Sequence, residues 1–80
     1  MKVLIADDEA VVLEGLKYII DWEALGFSIC SQARNGNETL EKLLKLSPDL
    51  VLLDIRMPGL TGIEIVQIAR ERGFSGHFII

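Results

Sequence analysis

The chain has 80 residues, half of them hydrophobic, with eight Lys and Arg against twelve Asp and Glu and a net charge of −4. That size holds one small domain, and its apolar content is too high for a disordered chain. An isoelectric point near 4.8 lacks the basic footprint of a nucleic-acid surface. A single Cys (Cys30) and a single His (His77) exclude an internal disulfide and any multi-Cys or His-pair metal site. No segment approaches the run of about 18 apolar residues that a membrane span needs, and the first apolar run is too short for a signal-peptide core. A reducing, cytoplasmic setting without a membrane partner is expected.

Lys2 to Ala6 is a short apolar run closed by Asp7-Asp8-Glu9, which reads as a strand buried on both faces. From Glu9 to Ile20 the period becomes helical. Val12, Leu13, Leu16, Ile19 and Ile20 form an apolar stripe, and Asp8 is placed to cap it. Trp22 lies in a connector ended by Gly26 and reads as a packing anchor. Phe27 to Ala33 predicts a second strand, with Cys30 as a small buried hydrophobe and Asn35-Gly36 as the turn. Asn37 is expected to cap a second helix carrying Leu40, Leu43 and Leu44, with Glu41 and Lys45 spaced as an ion pair. Ser47-Pro48 stops that helix. Leu50 to Leu53 is the strongest buried-strand signal and ends at Asp54. After the loop Ile55 to Leu60, Thr61 and Glu64 have capping-box spacing for a third helix that runs to about Arg72. Gly73 suits its C-terminal cap, and His77 to Ile80 begins a fourth strand.

The order βαβαβαβ implies an α/β, doubly wound parallel sheet with right-handed crossovers. Sites in such sheets form beyond the carboxyl ends of the strands. Two strands here end in acid, at Asp7-Asp8 and at Asp54. If they are neighbours, three carboxylates share one crevice, and either a proton or a cation must relieve them. An all-oxygen donor set suits a hard divalent ion, Mg²⁺ above all. A nucleotide-phosphate loop would offer glycines and hydroxyls at this point, and acids repel phosphate unless a metal intervenes. With a cation present, one carboxylate can attack a phosphoryl group. Asp54, standing alone at its strand end, is the better nucleophile. The plain alternative is that Asp8 only caps a helix and Asp54 only ends a strand.

The motifs Ile5-Ala6-Asp7-Asp8-Glu9 and Leu53-Asp54-Ile55-Arg56-Met57-Pro58-Gly59, with Gly62, resemble the receiver domain of two-component response regulators. Ile20 to Phe27 and Asn35-Gly36 further resemble receivers attached to AraC-type DNA-binding domains. The resemblance implies a flavodoxin-like sheet of strand order 2-1-3-4, with residues 1–80 as a single partial receiver domain. It implies that Asp54 accepts a phosphoryl group from a sensor histidine kinase. Mg²⁺ would be held by the side chains of Asp8 and Asp54, by the backbone carbonyl of Arg56, and by Asp7 through water. Met57 and Pro58 would shape the metal loop. Thr61 stands where the family often has Asp.

The family also uses a Ser or Thr after its fourth strand and a Lys after its fifth, and the chain stops before both. Helix 4, strand 5 and helix 5 are expected to be missing. Mg²⁺ binding is then expected to be weak and phosphoryl transfer impaired. The bare fourth strand is expected to drive formation of a homo-oligomer or swapped dimer. The competing readings are an interaction fragment that has no phosphate cycle and dimerises through its open edge, and a metal-dependent phosphohydrolase. The hydrolase is disfavoured because such enzymes place a second acid two residues after the nucleophile, where this chain has Arg56.

Overall fold

A computed structural model describes all residues, 1–80. Four strands alternate with three helices: β1 Lys2–Ala6, α1 Ala10–Ile19, β2 Ser28–Ala33, α2 Gly36–Leu46, β3 Leu50–Leu53, α3 Gly62–Glu71 and β4 His77–Ile79. All strand pairs are parallel, and the sheet order is β2-β1-β3-β4. This is the doubly wound parallel sheet expected from the element order, in the flavodoxin-like strand order that the resemblance implies. No helix is long and apolar enough to cross a membrane.

The central strands sort their side chains by alternation. Leu4, Ala6, Val51 and Leu53 face α2 and α3, where they meet Leu43, Ile65 and Ala69 in the larger core. Val3 and Ile5 face α1 and meet Leu13 and Trp22 in the smaller one. Trp22 is the anchor its composition suggested: it is buried, and its Nε1 donates to the Leu16 carbonyl at 3.0 Å. Cys30 is only partly buried, against the larger core.

The helix ends carry two corrections. α1 is not capped by Asp8. Its N-cap is Glu9, which makes no side-chain cap bond; the acid that bonds there is Asp7, whose Oδ1 accepts the Glu9 N–H at 2.9 Å. α2 is capped by Asn35, two residues before the expected Asn37. Asn35 is extended, and its side chain accepts from the Glu38 N–H. A leucine period fixes which face of a helix is dry but not where the helix starts.

Two side-chain expectations also shift. Ile19 is 83% exposed rather than part of the dry stripe of α1. The ion pair of α2 is Lys42 with Glu38 at 3.2 Å, in place of Lys45 with Glu41. The Thr61–Glu64 capping box is present in both directions. Gly73 leaves α3 at φ 84°, a conformation that side chains other than glycine's resist.

Candidate functional site

β1 and β3 are adjacent and end level with each other, Ala6 pairing with Leu53. One residue further on, Asp54 N–H donates to the Ala6 carbonyl at 3.0 Å, and Asp7 N–H donates to the Ala33 carbonyl at 3.0 Å. The ladders thus continue just past the strands and deliver both acids to one end of the sheet. Each of Asp7, Asp8 and Asp54 is half-buried, and each offers a carboxylate oxygen within 4.8 Å of the others. The three acids read from the sequence therefore meet in space.

Local hydrogen bonds hold the carboxylates. Asp7 Oδ1 accepts from Glu9 N–H at 2.9 Å, and Asp54 Oδ1 accepts from Arg56 N–H at 3.2 Å. Met57 is buried in the larger core and tethers the loop that follows Asp54. Neither side-chain ion pair of the chain, Lys17–Glu14 or Lys42–Glu38, neutralises the cluster. Burial pushes the Asp7 carboxyl above its ordinary range, and the negative charges of Asp54 and Asp8 add to this, against the opposing Glu9 N–H. Hard oxygens that are partly desolvated and mutually repelling are the donor chemistry a hard cation relieves. The residues present therefore fit a divalent ion such as Mg²⁺.

Beside the acids lies a crevice of about 250 Å³ lined by Ala6, Leu16, Leu52, Leu53, Ile79 and Ile80 together with Asp7 and Asp54. Its other walls are apolar, with no cation and no hydroxyl. A larger hollow of about 480 Å³, between Pro48, Phe74 and His77, lies at the opposite end of the strands and has no acid cluster.

One residue at the site went unnoticed in the sequence. Arg34, just past β2, donates from Nε and a terminal nitrogen to the Asp8 carbonyl at 3.2 and 2.8 Å. The rule that sites gather at carboxyl ends of strands applies to β2 as well as to β1 and β3, and would have marked it.

A parallel sheet of this order with acids at the ends of two central strands defines a receiver-like α/β protein. The family profile described as response regulator receiver domain matches residues 3–80, and the chain belongs to that family. Among curated proteins it is 40% identical over 79 residues to the uncharacterized transcriptional regulatory protein YesN of Bacillus subtilis, covering 99% of this chain and 22% of that one. It is 35% identical to the nitrate/nitrite response regulator protein NarL of Escherichia coli, covering 98% of this chain and 36% of NarL. Among solved structures, the receiver domain of AraT from Geobacillus stearothermophilus superimposes with a TM-score of 0.87 at 38% identity, over 96% of this chain and 60% of that chain. A two-component transcriptional regulator AraC from Clostridium phytofermentans gives 0.86 at 35% identity, over 98% and 60%. A CheX–CheY–BeF₃–Mg²⁺ complex from Borrelia burgdorferi gives 0.83 at 30% identity, over 98% and 58%. The chain thus spans about a fifth to a third of these curated regulators and about three-fifths of these solved chains.

Proposed function

We infer that this chain is the phospho-acceptor receiver segment of a two-component response regulator and that Asp54 takes the phosphoryl group. The observation that carries this reading is the meeting of three carboxylates within 4.8 Å at the ends of adjacent strands. Asp8 and Asp54 would hold Mg²⁺ by their side chains, Arg56 by its backbone carbonyl, and Asp7 through water. The similar CheY complex, which contains Mg²⁺ and the phosphoryl mimic BeF₃, supports this assignment. When bound, Mg²⁺ supplies positive charge at the phosphoryl oxygens. An Asp54 carboxylate oxygen attacks phosphorus, the donor's P–N bond breaks, and the kinase imidazole leaves. Asp7 and Asp8 keep the site anionic, which recruits the cation.

The donor is a sensor histidine kinase, and the setting is the cytoplasm. The whole protein regulates transcription, with DNA contacted outside this acidic segment. The domain is a stoichiometric acceptor and not an enzyme, in keeping with Arg56 standing two residues after Asp54. Within residues 1–80, a partial receiver, transfer is impaired, because the crevice beside Asp54 holds no Lys or hydroxyl to grip the phosphoryl group. The test is incubation with a small acyl phosphate and Mg²⁺, followed by intact mass. Slow, substoichiometric labelling that disappears in Asp54→Asn is expected. Labelling that persists in Asp54→Asn would refute the acceptor assignment.

A second reading has one observation in its favour. Ile79 and Ile80 at the sheet edge are 55% and 62% exposed, which favours pairing of two copies through β4. Self-association is compatible with the acceptor role. It stands alone only if Asp54 takes no label.

A further inference from the structure

The turn between β2 and α2 supplies no carboxylate, yet it holds both loops that do. Arg34 grips the Asp8 carbonyl with two donors, at 3.2 and 2.8 Å. Two residues on, Gly36 N–H donates to the Pro58 carbonyl at 2.9 Å, in the loop that follows Asp54. Gly36 is buried, and a Cβ there would run into the Leu60 backbone. The next residue, Asn37, lays its side-chain oxygen against Gly59, which sits at φ 87°. The turn is itself rigid: Asn35 caps α2 through Glu38 N–H at 2.8 Å, and its carbonyl accepts the Thr39 hydroxyl at 2.7 Å. One braced turn therefore fixes the two loops relative to each other.

We propose that Arg34 and Gly36 are positioning residues of the cation site, setting the separation of Asp8 from the Asp54–Pro58 loop without touching the ion. The proposal rests on the reading of the acid cluster as a Mg²⁺ site. The Arg34 guanidinium makes no ion pair with a carboxylate, so its bond to a backbone carbonyl is a matter of geometry. Its charge and its geometry act on Mg²⁺ in opposite directions. A cation near the cluster repels Mg²⁺, and removing it should tighten binding. Loss of the forked bond lets the Asp8 loop drift, which should weaken binding. Partners that orient ligands are commonly worth about 10- to 100-fold in metal affinity.

The test is calorimetric titration of the chain with Mg²⁺ alone. Arg34→Gln stays polar but is shorter and uncharged, so it loses the forked bond; the position is on the surface, and the core stays intact. Its Mg²⁺ affinity is expected to fall by about tenfold, despite the loss of a positive charge. Gly36→Ala is expected to weaken binding at least as much. Gly76→Ala is the control, since its Cβ would strike the Pro48 carbonyl and the Phe74 ring at the far end of the sheet. It should lower stability and leave Mg²⁺ affinity unchanged. Unchanged or tighter binding by Arg34→Gln overturns the proposal, as does an equal loss of affinity in Gly76→Ala. If Gly36→Ala does not fold, Arg34→Gln decides alone. Absence of Mg²⁺ binding by the unsubstituted chain overturns the metal reading and this proposal with it, and that result is distinct from a failure of the variants.

Discussion

Asp54 donates its backbone N–H to the carbonyl of Ala6 at 3.0 Å. That bond lies one step beyond the last ladder pair and locks the start of one acidic loop to the end of the other strand. It is the reason Asp7 and Asp54 cannot drift apart to relieve their repulsion. The strands build the carboxylate cluster, and the cost of crowding falls on folding.

Replacing Asp7 by Asn should therefore stabilise the metal-free chain near neutral pH. The Asp7 carboxyl is raised by burial and then by Asp54 and Asp8. A raised acid favours the folded state while protonated, below its unfolded value, and that advantage is lost as pH rises through the folded value. Near neutral pH the native chain carries the full penalty, and Asn, which still accepts the Glu9 N–H, removes it. Urea midpoints should favour Asp7→Asn at about pH 7 and converge with the unsubstituted chain below about pH 4. A midpoint difference independent of pH would contradict this origin.

Mg²⁺ should reverse the same penalty. A ligand that binds only the folded state adds about 2.7 kcal/mol when present at a hundredfold excess over its Kd. Thermal unfolding of the chain should shift upward with Mg²⁺, and the shift should vanish in Asp8→Asn and in Asp54→Asn. Equal shifts in all three proteins would mean that the ion binds elsewhere.

The acids were legible in the sequence because they interrupt apolar runs, and a parallel sheet leaves such interruptions only at strand ends. The Thr61–Glu64 box was legible because its spacing is its mechanism. Arg34 was legible only as a residue at the end of a strand; its partner, a backbone carbonyl 26 residues away, leaves no mark in the pattern of side chains. The Asn35 cap was missed for a related reason. Asn35 and Asn37 are both good caps, and only the meeting of Gly36 with Pro58 and Leu60 decides which one begins the helix. Ile19 was misassigned because a 3.6-residue period predicts a dry face, whereas burial needs something packed on that face.

The capping box gives a local test of how far α3 depends on its first turn. Thr61 Oγ1 accepts from Glu64 N–H at 3.2 Å, and Glu64 Oε1 accepts from Thr61 N–H at 3.0 Å. Those bonds hold the exposed Glu64 carboxyl below its ordinary value, the backbone N–H of Thr61 being the larger cause. Thr61→Ala should cost about 0.5–2 kcal/mol and should let the Glu64 carboxyl move only part of the way back toward its ordinary value in an NMR titration, since Ala keeps the backbone N–H that is the larger cause. Because a lowered acid stabilises the fold above its unfolded value and loses this as pH falls through the folded one, the contribution from Glu64 should disappear in acid. A Glu64 titration identical in both proteins would show that the Thr61 hydroxyl does not act on the Glu64 carboxyl in solution.

The open edge of the sheet makes a prediction about assembly. β4 is three residues long and pairs only with β3, so its other edge offers unpaired backbone groups beside the exposed side chains of Ile79 and Ile80. Phe78, by contrast, is occupied: it packs edge-on to Phe74, with the Arg70 guanidinium 5.3 Å from its ring centre. An unpaired strand with apolar neighbours recruits another strand, and a lysine on such an edge opposes that pairing by burying its charge. Sedimentation velocity of residues 1–80 should therefore show self-association that grows with concentration. Ile79→Lys should shift the chain toward monomer, leaving Asp7, Asp8 and Asp54 in place. A monomer at all concentrations with a sharp thermal transition would show that the edge is protected in solution and that Ile79 serves the crevice beside Asp54 alone.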